Sequence, residues 1–287
     1  MQKPESYKIL YTKTPNFTLL FGSDMKHILL TLGSLLVIAT SFAQDKLFTP
    51  EVKPKTRYGF IITGDASADK SEGDLAKLFG ASYRIGGGLL YKTKNNWLFG
   101  ANFDFIVGSD IRCDSLMLNI RDKYNASWNG KYVEIIGTDG GRAGIPFYER
   151  GIATGVEIGK IITTNPHRPD NGILLLSTIG FIQYKIDIYD QDNTIPELRG
   201  SYKYGYDRLT NGPFYEQYAG YVYFSKSRLI NFHVGIDALF GFTKDRRGYL
   251  YDVMRYDNNQ RHDIIIGLKG GWFFPMFKRK SEDILFE

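Results

Sequence analysis

The sequence predicts an all-β protein: an eight-stranded antiparallel up-and-down transmembrane β-barrel with four long outer loops and short periplasmic turns. Three observations carry this expectation. An export leader stands near the start of the chain, eight long runs of period-two alternation follow it, and the connections between those runs are short and long in turn.

The leader is Met25 to Gln44, MKHILLTLGSLLVIATSFAQ. Lys26 and His27 form a short basic head, and Ile28 to Ala39 form an apolar core. Ser41 and Ala43 are the small residues that a signal peptidase needs just before the cut, so cleavage is expected between Ala43 and Gln44. The apolar core is too short for a spanning helix, which needs about 20 residues. Residues 1–24 have neither a leader pattern nor strand periodicity, so Met25 is read as the true initiator. The expected division is 1–24 as an extension from a start assigned too early, 25–43 as signal peptide and 44–287 as the barrel domain.

The 20 Tyr, 20 Phe and 31 Gly suit a β-protein whose faces alternate, and the single Cys113 excludes an intramolecular disulfide framework. Gln44 rather than Cys after the cut excludes a lipoprotein. A net charge of +5 is too weak to point to nucleic acid.

The eight runs fall at about 56–64, 80–92, 97–108, 147–161, 172–187, 214–225, 229–242 and 261–274. The second contains Gly86-Gly87-Gly88. Neither a Lys-Ser/Thr pair nor a helix start follows, so it reads as relief of crowding in a narrow barrel and not as a phosphate loop. In the third, Trp97, Phe99, Ala101, Phe103, Phe105 and Val107 oppose Asn96, Gly100, Asn102 and Asp104. The fourth carries Gly151, Gly155 and Gly159, spaced to share one face. In the seventh, Ile230, Phe232, Val234, Ile236, Ala238, Phe240 and Phe242 oppose Asn231, His233, Gly235, Asp237 and Gly241. In the eighth, Ile264, Ile266, Leu268 and Trp272 oppose Asp263, Gly267, Lys269 and Gly271.

Such runs match the roughly 9–11 residues that a tilted strand needs to cross a bilayer, and exceed the usual strand of about 5–6. The tight connections are Lys94-Asn95-Asn96, Thr163 to Asn171 and Ser225-Lys226-Ser227; the long ones are 65–79, 109–146, 188–213 and 243–260. Short inner turns and long outer loops are the pattern of a membrane barrel. A soluble lipocalin-like barrel shares the periodicity but rarely carries four such loops at one end.

With apolar faces toward lipid, the lumen receives Arg57, Arg84, Asn102, Asp104, Glu149, Glu157, Gln183, Lys185, Asp187, Glu216, His233, Asp237, Asp263 and Lys269. Eight strands enclose only enough space for their own side chains, so these charges are expected to pair and close the lumen. No metal site is expected from dispersed histidines and one cysteine, and no cofactor is implied. A lipid-modifying enzyme would need a nucleophile and base; Ser109 and His262 are the candidates, on strands that are not neighbours.

Function is therefore expected in the loops. A short helix is expected over Asp114 to Tyr124, and a Gly-rich run spans Thr138 to Gly144. The candidate binding surface is Tyr189, Arg199, Tyr202, Lys203, Tyr204, Tyr206 and Arg208, where aromatic and basic residues interleave.

The last run, Lys269-Gly270-Gly271-Trp272-Phe273-Phe274-Pro275-Met276, is similar to the terminal signal read by the barrel-assembly machinery, though the chain continues to Glu287 through Lys278-Arg279-Lys280. The segments Gly205 to Gly212, Arg228 to Phe232 and Gly241 to Arg247, with a leader ending Ser-Phe-Ala-Gln, resemble a family of Bacteroidota outer-membrane barrel proteins. The resemblance implies a fold and carries no chemistry. The expected role is structural or surface-interacting in the outer membrane. The expected partners are outer-membrane lipid, the barrel-assembly machinery during biogenesis, and an envelope protein or polysaccharide; no nucleic acid is expected. The alternatives are a membrane subunit of a secretion or gliding-motility machine and an envelope lipid-modifying enzyme.

Overall fold

The computed structural model describes residues 56–121, 132–191, 193–225 and 230–277. The leader, the residues before it, the part of Asp114 to Tyr124 beyond residue 121, residues 226–229 at the expected tight connection and the basic Lys278 to Lys280 lie outside the described residues.

The strands are β1 (Gly59–Gly73), β2 (Ala81–Lys92), β3 (Trp97–Gly108), β4 (Tyr132–Ile136), β5 (Arg142–Thr163), β6 (Gly172–Ile188), β7 (Thr210–Phe224), β8 (Asn231–Asp245), β9 (Tyr249–Leu250), β10 (Arg255–Tyr256) and β11 (Gln260–Phe277). Eight of them, β1, β2, β3, β5, β6, β7, β8 and β11, pair antiparallel in a closed ring, with β11 returning to β1. Closure leaves none of these eight strands at a sheet edge within the ring, which a structure surrounded by lipid requires. The register also fixes the stagger. Paired residues traced round the ring from Phe60 pass through Tyr91, Phe99, Ile158, Ser177, Gln217, Ala238 and Ile266 and return to β1 at Lys70, ten residues on. Such a shear tilts the strands against the barrel axis.

The outward face is apolar. Phe60, Tyr91, Trp97, Phe99, Phe274 and Trp272 are exposed near one rim, and Tyr83, Phe103, Phe105, Phe181 and Phe242 near the other; Val156, Ile179, Ile236 and Leu268 lie between them. Along β3 the outward series runs from Trp97 to Val107, about 26 Å of height at ~3.4 Å per residue and a ~40° tilt. That is the height of the apolar band on a transmembrane barrel, about 25 Å. This barrel is inside-out, with large apolar side chains exposed and charged ones enclosed.

The lumen is filled in three layers. At the end where Gly59 meets Phe277, Ile61, Leu90, Leu98, Leu174, Val222, Phe224 and Phe273 form an apolar plug. Beneath it Asp170 accepts from Arg57 Nε at 2.7 Å and Lys92 Nζ at 2.7 Å. At the other end Ile106, Phe147, Ile182, Tyr184, Phe214, Leu239 and Ile265 form a second plug, which continues into the loops through Leu75, Phe79 and Ile111. Between the plugs sits a charged layer. Arg84 on β2 reaches Asp69 Oδ2 at 2.8 Å and Glu216 Oε1 at 3.2 Å, and also pairs with Asp237. Lys269 lies 3.4 Å from Glu216 and 3.7 Å from Asp104. His233 is held between Tyr218 Oη, 2.9 Å from Nδ1, and Asp65, 2.7 Å from Nε2. Gly267 makes room for this layer, because a Cβ there would run into the Asp69 and Asp237 carboxylates. The cavity left among Asp65, Glu157, Glu216 and Lys269 measures ≈ 20 Å³, room for a single water by the ~10–15 Å³ criterion.

Three expectations are corrected. The segment 65–79 is not a long loop: β1 continues to Gly73, and the short connection that follows carries a 3-10 turn, Leu75–Lys77, and an isolated bridge from Phe79 to Ile111. Its outward residues Gly64, Ala66 and Ala68 are too small to mark a lipid face, while Asp65, Ser67 and Asp69 are lumen residues that resemble loop composition. Gln183, Lys185 and Asp187 do not enter the lumen, because on β6 the even-numbered residues do, from Leu174 to Ile186. The third correction is at 114–120, which forms consecutive turns and not a helix. The Gly-rich run Thr138 to Gly144 includes the turn of a β4–β5 hairpin, with Gly140 at φ +76°.

Arg84→Ala leaves three buried carboxylates without their shared partner, and loss of one member of a buried pair costs about 3–5 kcal/mol. Urea unfolding in lipid vesicles should show a loss of that size; a change below about 1 kcal/mol contradicts the assigned role.

Candidate functional site

With the lumen plugged, the accessible chemistry lies at the loop end. The connection 189–209 carries two 3-10 turns, Pro196–Leu198 and Tyr202–Gly205, and the connection 246–259 carries the β9–β10 hairpin. Polar and aromatic contacts lock the two together. Arg247 grips Asp207 in a fork, Nε to Oδ1 at 2.7 Å and Nη2 to Oδ2 at 2.5 Å, and its guanidinium lies 4.1 Å over the Tyr204 ring. Arg208 Nη2 donates to Asp252 Oδ2 at 2.5 Å and to Ser115 Oγ at 3.1 Å, which draws in the 109–141 connection. The Tyr251 N–H donates to the Gly205 carbonyl at 3.0 Å. Gly205 has no alternative there, because a Cβ would overlap the Tyr251 ring.

Tyrosine rings continue this contact across the surface. Tyr206 meets Tyr251 edge-on at 5.8 Å, Tyr251 meets Tyr249 at 5.9 Å, and Tyr249 meets Tyr256 at 5.0 Å. Tyr202 and Tyr256 are 64% and 73% exposed, so their faces are free to take a ligand. Edge and offset contacts of this kind hold rings in place at little entropic cost.

The seven residues singled out in the sequence divide in two. Tyr189, Arg199, Tyr202 and Tyr204 are exposed and Lys203 is half-buried; all five lie on the crown surface. Tyr206 and Arg208 are buried and hold the loops together, with Asn119 donating to the Tyr206 hydroxyl at 3.0 Å. They cannot contact a ligand directly, which corrects that part of the expectation. The sequence reading missed Tyr249, Tyr251 and Tyr256, whose spacing along 249–256 matched no motif. Ser109 and His262 do not form a dyad: β2 and β1 stand between their strands, and His262 packs edge-on against Phe242 at 5.7 Å. Among the described residues no cluster of His, Cys, Asp or Glu is arranged to hold a metal ion.

Two carboxyls of the crown are shifted in opposite directions. Burial raises Asp252 from its ordinary value, against the opposing charge of Arg208. For Asp257 burial is the largest influence, but the hydrogen bond and charge of Arg261, at 2.6 Å, outweigh it and hold the group below its usual value. A carboxyl lowered in this way contributes stability above its unfolded pKa of about 3.9, and that contribution disappears as pH falls through the folded value. The Asp257–Arg261 pair is thus fully formed at neutral pH and weakens only below about pH 4. The Asn259 amide, which donates to Asp257 Oδ1 at 3.2 Å, reports this directly. Its NMR shift should inflect below about pH 3.9; an inflection at or above that value contradicts the assignment.

No family model matches the chain, and no curated protein matches it. Among solved structures it is similar to Ail, the attachment invasion locus protein of Yersinia pestis, at 9% identity and a TM-score of 0.40, covering 76% of this chain and 100% of that one. It is also similar to Neisserial surface protein A at 12% identity and 0.37, covering 75% and 96%. Similarity to the outer-membrane protein OprG of Pseudomonas aeruginosa stands at 13% identity and 0.33, covering 77% and 98%. The likeness is remote.

Proposed function

We propose that this chain is an outer-membrane protein whose rigid, tyrosine-rich crown binds a polysaccharide at the cell surface. The observation that supports the reading most is the pre-organised crown itself. Two long connections are clamped by Arg247–Asp207 and Arg208–Asp252, and they present exposed tyrosine faces that need no rearrangement to bind. Aromatic faces stack on the apolar faces of sugars, while neighbouring hydroxyls and the half-buried Lys203 supply polar contacts. Pre-organisation reduces the ordering cost that weakens flexible binding loops. A leader for export, an apolar belt of bilayer height and a resemblance to Bacteroidota barrel proteins support placement in the outer membrane of a Gram-negative bacterium.

The test is binding of extracellular and envelope polysaccharides to the full-length protein in lipid nanodiscs. A saturable interaction is expected, weakened roughly tenfold when Tyr202→Ala and Tyr256→Ala are combined, since each aromatic contact is worth about 0.5–1.5 kcal/mol. Binding that ignores the double substitution contradicts the crown as the site. Stoichiometric co-purification of other envelope proteins, with no polysaccharide binding, favours the machine-subunit alternative instead.

A further inference from the structure

A groove of ≈ 260 Å³ runs on the outward face of β3, β5 and β6, where the backbone at Gly151 forms its floor. The side chains around it are sorted by height. Ile152 lies opposite Phe105 and Gln183, and one row nearer the crown Arg150 lies opposite Val107 and Lys185. The lower row continues the apolar belt through Phe103, Thr154 and Phe181. The upper row is cationic on β5 and β6 and sits where the belt ends.

The two cations are differently engaged. Arg150 is exposed; it donates to the Glu149 carbonyl at 2.8 Å and lies 4.9 Å over the Tyr148 ring. Its charge acts on the buried Glu149 carboxyl, but no contact-distance ion pair is found for it among the described residues, and Arg150 lines the groove. Lys185 has Asp187 at 3.5 Å, with both side chains partly exposed, a contact worth little in water. By contrast Lys70, also outward at the crown end of the belt, is paired with Glu72 at 2.6 Å.

We propose that this groove holds one phosphate-bearing lipid of the outer leaflet, its acyl chain against Phe105, Val107 and Ile152 and its phosphate against Arg150 and Lys185. The proposal rests on the membrane placement given above. Charge complementarity selects the occupant. A bare lipid tail would fill the apolar floor but leave the guanidinium without an anion, whereas a phosphate matches the planar fork and lies at the height where headgroups begin. Gln183, one row below the cations, offers a further neutral donor; its amide oxygen already accepts from Asn211 at 3.4 Å.

The test is native mass spectrometry of the full-length protein in detergent, titrated with bis-phosphorylated lipid A, its dephosphorylated form, and phosphatidylglycerol. One bound lipid is expected with either phosphate-bearing probe, and little with the dephosphorylated one. In the double variant Arg150→Gln, Lys185→Gln the adduct should fall about tenfold to thirtyfold, since each surface cation contributes about 1 kcal/mol toward an anionic lipid. Equal retention of the dephosphorylated lipid, or an adduct unchanged in the variant, overturns the proposal. Gel mobility separates this from failure of the membrane reading. If the unboiled and boiled wild type migrate alike, the membrane barrel itself is at fault. If the variant keeps its heat-dependent shift and also its adduct, the groove alone is at fault.

Discussion

One guanidinium organises the interior. Arg84, on β2, binds Asp69 on β1, Glu216 on β7 and Asp237 on β8, so it spans the lumen and the seam where β11 closes on β1. All four side chains are almost wholly excluded from solvent. An apolar plug above and another below keep bulk water from screening them. In that setting an unpaired charge is costly, and only the native register brings all the partners together. Sliding β8 by one residue would turn Asp237 out toward lipid and bring Ile236 or Ala238 inward. The ionic layer therefore specifies register in a barrel whose outer face, mostly apolar, constrains register less.

Sealing the centre has a functional consequence. A lumen closed by its own side chains leaves the ends and the outer wall for interaction. The inner end is tied by Asp170 to Arg57 and Lys92, while the outer end rises into loops that share the upper plug. Leu75, Phe79, Leu116, Leu198 and Tyr206 extend the buried core from barrel to crown, so the loops pack as part of the fold. Their tyrosine faces are held in place by the same contacts that hold the loops. The groove at Arg150 faces the bilayer and not the crown. A lipid held there, as proposed, would contact the protein independently of the loops.

The barrel was legible in the sequence wherever one face of a strand is large and apolar and the other polar. β3, β8 and β11 meet that condition, and their lumen residues Asn102, Asp104, His233, Asp237, Asp263 and Lys269 lie where alternation placed them. The end of β1 does not, because Gly64, Ala66 and Ala68 weaken the signal from its outer face. In β6 the run Ile173, Leu174, Leu175, Leu176 is apolar on both faces, so its phase is hidden, and Gln183, Lys185 and Asp187 were assigned to the wrong side. The plugs share this cause: inward Leu90, Leu98 and Phe273 look no different from lipid-facing residues in a list of apolar positions. The crown was legible only as composition. Loops have no period, so nothing in the chain distinguishes the buried Tyr206 and Arg208 from the exposed Tyr202 and Tyr204.

The inside-out arrangement is tested most directly by a nitroxide scan along β8, from Asn231 to Thr243, in a Cys113→Ser background reconstituted into lipid vesicles. Oxygen, which partitions into lipid, should reach the label with a period of two, with maxima at Phe232, Val234, Ile236, Ala238, Phe240 and Phe242. A water-soluble nickel chelate should be excluded from those same positions. Chelate maxima at Val234, Ile236 and Ala238, or no period at all, would contradict a barrel that faces lipid with its apolar wall.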